Sequence, residues 1–291
     1  MKNKEIDKNI LLIGSSGYLG SFLVENLSIS NLQTSDLLPS SHTKVVKDAY
    51  TFEEEYLNQF DGVILLAGMS RVADCKSNPE KCFELNTKLP LYLRKKLKAD
   101  KFFIYASSGS VYNGSGKFPA TENFNIRSSS NAYDHSKLQL DLEMYKQKKP
   151  FISLRFGTVN GFTKNWRNEL VVNKMCQDAY KSNLLSLSNA FSWRAILDIQ
   201  ELVNAFSILL QRIKFSQEIY NLSSFNCQIQ DIATNVQKIT NCKIDKGLDS
   251  AQSYSFSMDS NLFCKDFNYE FRCSLDLLIK KILKDITTND K

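Results

Sequence analysis

Residues 9–20 of the chain read NILLIGSSGYLG. In this stretch an apolar run, Ile10–Ile13, ends at three glycines, Gly14, Gly17 and Gly20, and an apolar-periodic segment follows directly. The order predicts a strand, a tight turn and a helix. In such a turn the first glycine permits the reversal, the second leaves room for a pyrophosphate, and the third lets the helix pack closely on the strand. The stretch therefore predicts a dinucleotide site at the helix N-terminus, with an ordinary strand-to-helix turn as the alternative.

Outward from these glycines, apolar runs and apolar-periodic segments alternate as far as about residue 160. The run at residues 61–68, DGVILLAG, has the unbroken apolar character of a strand buried on both faces of a parallel sheet. Alternation of this kind predicts a doubly wound, Rossmann-like α/β fold. The predicted strands lie at about residues 10–13, 31–36, 45–46, 61–68, 101–106 and 151–155, and the predicted helices at about 17–28, 78–86 with a kink or break at Pro90, 133–147, 200–210 and 230–240.

This pattern predicts two regions of different character. Residues 1–160 are expected to form a dinucleotide-binding domain, to which the chain returns at about 195–222, where Ile219–Leu222 is predicted to add a strand to the same sheet. Residues 161–291 are expected to form mainly a smaller, mixed α/β lobe that binds the substrate. The tail from Lys284, rich in Lys, Asp, Thr and Asn, is expected to be frayed.

Positions near the other strand ends fit the rest of a dinucleotide. Asp36 follows the second predicted strand, sixteen residues after Gly20. An acid there accepts the adenosine ribose hydroxyls and repels a 2′-phosphate, which favours NAD over NADP; a turn cap is the alternative role. Asp48, after the third strand, is placed to touch the adenine, and Ala67 and Gly68 are small enough for the nucleotide to lie against.

The composition argues against several other classes of protein. The chain has 291 residues and a net charge of +6, but its Lys and Arg are scattered over predicted helix faces without the aromatic signature of RNA-binding modules, so we expect no nucleic-acid partner. No apolar run reaches the length of a membrane span, and the first residues lack the apolar region of a signal peptide. Seven cysteines without a C-x-x-C pair, and two histidines, argue against a metal site and for reduced thiols in the cytoplasm.

Tyr133 and Lys137 have the clearest chemical signature in the chain. They are four positions apart on a predicted helix, so they lie on one face of it. A lysine ammonium beside a phenol, with a positively charged nicotinamide close by, stabilises the phenolate and makes the tyrosine a usable base near neutral pH. Such a tyrosine takes a proton from a substrate hydroxyl while the carbon gives hydride to the cofactor. Ser108, at the carboxyl end of the fifth predicted strand, is placed to orient the same oxygen.

A tyrosine–lysine pair alone is common on helix surfaces, but here it follows the glycine turn, the acid and a serine stretch in order. Together these motifs resemble the extended short-chain dehydrogenase/reductase family, in particular its NAD-dependent nucleotide-sugar epimerases and dehydratases, over nearly the whole chain. GSSGYLG resembles the family's glycine motif, LAG at 66–68 its cofactor contact, and ASSGSVY at 106–112 its serine stretch. The expected cofactor contacts are Gly14, Ser16, Gly17, Tyr18, Leu19, Gly20, Asp36, Asp48, Leu66, Ala67, Gly68, Asn86, Ser107, Tyr133 and Lys137.

On the substrate side the resemblance extends into the second region. Residues 154–161, LRFGTVNG, resemble the family's L-R-x-x-N-V-Y-G, and residues 193–199, WRAILDI, resemble its R-D-F-I-H-V segment, whose arginine meets the substrate diphosphate. Arg194 is therefore expected to bind the substrate, with a structural ion pair as the alternative. Asn173 is expected either to contact the nucleotide sugar or to lie on a helix surface. The full set of expected substrate contacts is Ser108, Gly109, Ser110, Tyr133, Asn160, Asn173 and Arg194.

Departures from the family's pattern narrow the expected reaction. The dehydratases carry an acid directly after the catalytic serine or threonine, where this chain has Gly109, and the reductive epimerases use a cysteine there and a later histidine, whereas this chain has only His42 and His135. Simple hydride transfer at C4 of the sugar remains, which indicates a 4-epimerase, with a net 4-dehydrogenase or 4-keto reductase as the alternative. Asp198 replaces the usual histidine and Asn113 the usual glycine, so we expect a substrate pocket of its own kind.

Two further expectations concern the protein as a whole. A non-catalytic NAD-binding regulator is the alternative from another class, and the presence of Tyr133, Lys137 and Ser108 counts against it. The resemblance also implies a homodimer through the Tyr133 helix and the helix around Asn86, which together form a four-helix bundle with the same helices of the second copy. It implies synthesis of surface-polysaccharide precursors as the pathway, while the nucleotide and the sugar stay open.

Overall fold

The computed structural model describes residues 5–126, 129, 131–213, 216–249 and 253–289. Its strands are β1 (Ile6–Ile13), β2 (Ile29–Asp36), β3 (Val45–Val46), β4 (Gly62–Leu65), β5 (Phe102–Ser108), β6 (Pro119–Ala120), β7 (Phe151–Phe156), β8 (Thr158–Asn160), β9 (Leu184–Leu187), β10 (Trp193–Asp198), β11 (Gln217–Leu222), β12 (Phe225–Gln228), β13 (Lys243–Lys246) and β14 (Ser257–Met258). Its α-helices are α1 (Tyr18–Asn26), α2 (Glu54–Leu57), α3 (Val72–Ser77), α4 (Pro79–Phe83), α5 (Leu89–Lys96), α6 (Ala132–Lys146), α7 (Val171–Ser182), α8 (Ile199–Gln211), α9 (Ile229–Thr240), α10 (Asn261–Phe267) and α11 (Leu275–Asn289).

The central sheet has seven strands in the order β11-β7-β5-β4-β1-β2-β3. The pairs from β3 through β2, β1 and β4 to β5 are parallel, with Leu11 opposite Val63 and Val63 opposite Phe103. All of β4 is buried, because a strand with both faces covered must be apolar throughout. The predicted Rossmann-like α/β fold is therefore confirmed. Its switch point lies between β1 and β4, where such sheets bind ligands at their carboxyl edge.

The chain forms two compact units. The first comprises Met1–Val111, Asn125–Arg155 and Val203–Tyr220, and the second comprises Tyr112–Phe124, Phe156–Leu202 and Asn221–Lys291. The predicted strand Ile219–Leu222 is observed as part of β11, beside β7 in the central sheet. The domain boundaries that the sequence suggests, residues 1–160 and 161–291, stay a prediction.

One apolar cluster in the first unit fixes the helices that carry the candidate site residues. It joins alternate residues of β1, β4 and β5 to residues of α5 and α6, and it completely buries Leu11, Val63, Phe103, Leu93 and Leu140. Burying one such side chain contributes about 1.5–3 kcal/mol. The position of α6 on the sheet is therefore set by packing, independently of any ligand.

Pro90 disturbs the helix from α4 to α5 without ending it. Asn78 caps α4 by accepting from the Lys81 N–H at 3.1 Å, as the sequence predicts for a polar residue before a proline. Between α4 and α5 lies a single π-helical turn, Glu84–Lys88. Proline has no N–H and its ring clashes with the carbonyl four residues earlier, and a widened turn absorbs both effects. The interruption expected at Pro90 is thus a π turn immediately before it.

The second unit is built on its own apolar cluster. Residues of α7, α9 and α11 bury Val172, Ile232 and Ile279 completely, above the three-stranded sheet β12-β10-β8. The predicted helices at 200–210 and 230–240 are observed as α8 and α9. The expectation of a frayed tail from Lys284 is wrong for residues 284–289, because α11 continues to Asn289, while residues 290 and 291 lie outside the described residues. Within the described ranges, no helix combines the length and the apolar composition needed to cross a membrane.

Candidate active site

The glycine turn joins the end of β1 to the start of α1. Gly14 has a φ of +101°, in the left-handed region, and a Cβ there would meet the backbone of Leu66 and Ala67. A Cβ on Gly20 would strike the carbonyl oxygen of Gly14. A Cβ on Gly17 would instead lie 3.6 Å from that oxygen, an ordinary van der Waals distance. The fold itself therefore requires glycine at the first and third positions, and the space in front of Gly17 fits a pyrophosphate at the N-terminus of α1.

Asp36 is tied to this turn by its side chain. Its Oδ2 accepts from the backbone N–H of Ser16 at 2.9 Å, and its Oδ1 accepts from that of Leu38 at 3.2 Å. A carboxylate has about four acceptor sites, so capacity remains for the ribose hydroxyls of a dinucleotide. Asp48 caps a 3₁₀ turn at Ala49–Thr51, where its Oδ1 accepts from the Tyr50 N–H at 3.0 Å.

Asn86 lies in the π turn and holds the loop that follows β4. Its Oδ1 accepts from the Met69 N–H at 2.9 Å, and its Nδ2 donates to the Met69 carbonyl at 2.9 Å and to the Ser136 hydroxyl at 3.1 Å. A Cβ on Gly68 would lie 2.6 Å from the Asn86 Oδ1 and 4.0 Å from the Lys137 Nζ. The loop after β4, the π turn and α6 therefore meet beside Gly68.

Lys137 is buried, with 7% of its surface exposed. Its Nζ donates to the carbonyl oxygen of Ala106 at 2.9 Å and lies 6.0 Å from the centre of the Tyr133 ring. Burial lowers the pKa of Lys137 to about 8, against smaller opposing effects of Asp141 and two neighbouring thiols. The lysine is thus held beside the tyrosine and is still mostly protonated at neutral pH.

Ser108 ends β5 next to the first turn of α6. Its Oγ lies 2.8 Å from the Oγ of Ser110, which donates to the Asp134 Oδ1 at 2.5 Å. Gly109 begins the short 3₁₀ turn, Gly109–Tyr112, that carries Ser110. Asp134 directly follows Tyr133 in α6 and is fully buried. These contacts bring the serine stretch and the start of the tyrosine helix together.

Sequence reasoning did not single out Asp141, which is completely enclosed in the first unit. It continues the four-residue spacing of Tyr133 and Lys137 along α6, and that spacing was the available signal. Because its partners lie on β5 and β7, it fixes the face of α6 that carries the lysine. Those partners are the hydroxyls of Tyr105, Ser107 and Ser153, at 2.9, 3.1 and 2.7 Å, and the Nε of Arg155, at 2.8 Å.

Asn160 and Asn173 lie in the second unit, and both are fully buried. The Asn160 Oδ1 accepts from the Val172 N–H at 3.1 Å, and the Asn173 Oδ1 accepts from the Gly161 N–H at 3.0 Å. The Asn160 amide therefore binds main chain at the start of α7, and the Asn173 amide binds main chain of the segment that precedes this helix. The helix-surface alternative for Asn173 is wrong, because no part of it is exposed.

Arg194 is also in the second unit, on β10. Its guanidinium donates to the carbonyls of Trp193 and Tyr254 and to the Ser253 hydroxyl. Burial lowers the pKa of Arg194 to about 10. In the described part of the chain no carboxylate pairs with it, so the ion-pair alternative finds no partner there.

Comparison with known proteins gives both a matching family model and sequence relatives. A model of the NAD dependent epimerase/dehydratase family matches residues 10–223. The UDP-glucose 4-epimerase of Neisseria meningitidis serogroup A is 27% identical over 157 residues, which cover 46% of each chain. The chain thus spans about half the length of the curated relatives that it matches.

Two solved structures share the fold over 97% of this chain. One is TunA, an NAD-dependent NDP-hexosamine 5,6-dehydratase involved in tunicamycin biosynthesis, with a TM-score of 0.84, 18% identity and 98% of its chain covered. The other is MoeE5 in complex with UDP-glucuronic acid and NAD, with a TM-score of 0.82, 17% identity and 99% of its chain covered. At this level of identity the likeness shows the fold.

Proposed function

The chain belongs to the NAD-dependent epimerase/dehydratase family, and from that premise we propose that it is a nucleotide-sugar 4-epimerase. The observation that carries the proposal is in the first unit. There Lys137 lies beside Tyr133 on α6, and Ser108 is linked to the same end of that helix through Ser110. The space in front of Gly17 supports NAD as the cofactor.

Each of these residues has a chemical task in the proposed reaction. When bound, NAD would supply the acceptor and then the donor of the hydride for a sugar carbon, so that no cofactor is consumed. Tyr133 takes the proton from the sugar hydroxyl. Lys137, whose pKa of about 8 keeps it protonated at neutral pH, stabilises the phenolate that the tyrosine needs. Ser108 orients the sugar oxygen.

Arg194, in the second unit, supports a nucleotide sugar as the substrate, and Gly109, in the first unit, counts against dehydration. A partly buried guanidinium that no described carboxylate neutralises is suited to the diphosphate of a nucleotide sugar. Gly109 brings no acid beside Ser108 for the removal of water, so dehydration is not proposed. Work on surface-polysaccharide precursors is part of the same proposal and rests on the family resemblance, and the cytoplasm is proposed because the seven cysteines are free thiols.

The first test is turnover of a panel of nucleotide sugars. The purified protein is incubated with NAD and UDP-, GDP-, CDP- and dTDP-sugars, while NADH absorbance is followed and products are identified by NMR. We expect a 4-epimer with no accumulated NADH. Stoichiometric NADH would instead identify the net 4-dehydrogenase, and turnover only of 4-keto sugars with NADH would identify the reductase.

Replacement of Tyr133 by Phe tests the mechanism. Removing a general acid–base group costs about 10²–10⁴ in rate, so we expect turnover to fall by that factor while NAD binding, measured by calorimetry, stays unchanged. Tyr145→Phe, which removes a phenol hydroxyl from the far end of the same helix, is the matched control and is expected to retain activity. Full activity of Tyr133→Phe would contradict the mechanism.

A further inference from the structure

Asp141 is a buried carboxylate whose position on α6 is fixed by four hydrogen-bond donors. Only 1% of its surface is exposed. Its Oδ1 accepts from the hydroxyls of Tyr105 and Ser153, at 2.9 and 2.7 Å. Its Oδ2 accepts from the Ser107 hydroxyl at 3.1 Å and from the Arg155 Nε at 2.8 Å. A carboxylate has about four acceptor sites, so all of them are used and the negative charge is held in one place.

The strand segment that binds Asp141 also binds the Lys137 ammonium. Tyr105 and Ser107 are alternate residues of β5, so their side chains lie on the same side of the sheet. The residue between them, Ala106, accepts from the Lys137 Nζ at 2.9 Å through its carbonyl oxygen. Lys137 and Asp141 are also one turn apart on α6, and side chains at this spacing are neighbours. Both α6 and β5 therefore keep the ammonium and the carboxylate near each other.

Two cations lie next to Asp141, Lys137 on α6 and Arg155 on β7. A nearby carboxylate favours the charged form of a lysine, whereas a nearby guanidinium disfavours it. Burial lowers the pKa of Lys137 to about 8, and the charge of Asp141 is the largest of the effects that oppose this lowering. Burial also raises the pKa of the Cys75 thiol to about 12 and that of Tyr105 well above its ordinary value, so both are uncharged at neutral pH. In the described part of the chain, the other titratable groups on the elements around the lysine are Tyr133 on α6 and Cys82 on α4.

We propose that Asp141 is a positioning residue whose fixed charge keeps the Lys137 ammonium beside Tyr133, and that Arg155 limits how strongly this charge acts on the lysine. The inference rests on the proposed function and deepens it, because the ammonium there has the task of stabilising the Tyr133 phenolate. Turnover is lost when Lys137 loses its proton. Asp141 and Arg155 therefore set the alkaline limit of the reaction without acting on the sugar themselves.

Two variants with opposite expected effects test this inference. Asp141→Asn removes the charge and keeps the shape of the side chain. Its amide oxygen can accept from Arg155, and its amide protons can go to the hydroxyls of Tyr105 and Ser153, which accept as well as donate. We expect Lys137 to lose its proton about one pH unit lower in this variant than in the wild type. Arg155→Met removes the competing cation and keeps the carboxylate, so there the proton should be lost about one pH unit higher.

The titration of Lys137 is measured directly by NMR. In protein with nitrogen-15-labelled lysine and no cofactor, the Nζ chemical shift is followed as the pH is raised, and the Lys137 signal is assigned by its absence from Lys137→Met. Ser153→Ala is the matched control, because it deletes a hydroxyl bond to the same carboxylate and leaves both charges in place. Its midpoint should equal that of the wild type. For a sugar that is turned over, the alkaline limb of kcat/KM should shift with the midpoint in Asp141→Asn and Arg155→Met.

An unchanged midpoint in Asp141→Asn, or a shift in the same direction in both variants, would overturn the inference, because disturbed packing alone gives no reason for opposite shifts. If Asp141→Asn does not fold, Arg155→Met decides, and a midpoint there that is not raised overturns the inference. If the wild type turns over no sugar, the proposed function fails, and the Nζ titration still decides the role of Asp141.

Discussion

Lys137 is a buried cation, and its burial links the site to the stability of the fold. Burial lowers its pKa from 10.5 to about 8. A base with a lower pKa in the folded state binds fewer protons there than in the unfolded state, so stability rises with pH between about 8 and 10.5. Below pH 8 both states are protonated, and the folded state bears the full cost of the buried charge. A change of this size corresponds to roughly 3 kcal/mol.

We therefore expect Lys137→Met to abolish turnover and yet to stabilise the protein without cofactor at pH 7, by roughly 1–3 kcal/mol. The gain is less than the full cost because the Ala106 carbonyl loses its donor. Urea unfolding at pH 7 and at pH 10.5 measures it, and the gain over wild type should be lost or reversed at the higher pH, where only the missing hydrogen bond to Ala106 remains. Lys146→Met, at the exposed end of the same helix, is the control. If Lys137→Met were less stable than wild type at pH 7, the charged lysine would stabilise the folded state, which would contradict this prediction.

At the scale of elements, glycine is needed in the turn between β1 and α1 for two different reasons, the stability of the fold and the binding of NAD. The sequence alone does not show which glycine serves which purpose. The Cβ added by Gly20→Ala meets the Gly14 carbonyl, so this variant is expected to destabilise the fold by about 1–3 kcal/mol. Gly17→Ala meets only an ordinary contact, so its stability should change by less than about 1 kcal/mol. Its NAD affinity should fall at least about tenfold, because the methyl group occupies the pyrophosphate space.

Urea unfolding and calorimetric NAD titration of both glycine variants measure these effects. The two variants serve as controls for each other, since one is expected to change stability and the other to change affinity. If Gly17→Ala bound NAD as tightly as wild type, the pyrophosphate would not bind in front of Gly17.

The elements differ in how far the sequence could predict them. The run of β4 is apolar throughout and admits one interpretation, whereas β2 is poor in strand formers and could be placed only because the pattern needs a strand there. It forms because its backbone pairs with β1 on one side and with β3 on the other, which is a tertiary effect that overrides local propensity. The sequence could not predict the π turn before Pro90, because a proline indicates that a helix is interrupted but not which kind of turn results.

At the scale of the whole molecule, the expected homodimer has a candidate surface in the first unit. An open groove of about 830 Å³ lies along α4, the π turn and the start of α6, and half-buried Phe83 is part of it. The remaining residues of the groove are Asn78, Pro79, Glu80, Lys81, Glu84, Leu85, Lys88, Ala132 and His135.

We expect the mass of a dimer in light scattering, and the mass of a monomer for Phe83→Glu, because a charge in an apolar contact is costly to bury. Phe118→Glu changes a phenylalanine that is 68% exposed in the second unit, and it should leave the mass unchanged. A monomeric wild type would contradict the expectation.

The candidate site of the molecule could be predicted only in part. The order of the glycines, Asp36, Ser108 and the tyrosine–lysine pair was sufficient to name the main residues, because each has a local signature. The buried acids Asp134 and Asp141 have none, since an acid on a helix is usually solvated. Their roles depend on hydroxyl groups from other strands and turns, and only the folded chain shows which hydroxyls those are.

The Asn86 amide pairs with Met69 in the way that a residue of a neighbouring strand does. It gives the Met69 N–H an acceptor and the Met69 carbonyl a donor, both at 2.9 Å, as two residues exchange bonds in an antiparallel ladder. The Asn86 side chain, which a helix supplies, therefore makes the two hydrogen bonds that one residue of a paired strand would make. An aspartate of the same shape would offer two acceptors and no donor, so the electronegative oxygen of the Met69 carbonyl would face a negative charge. A single planar amide thus serves as secondary structure for a loop that has none of its own.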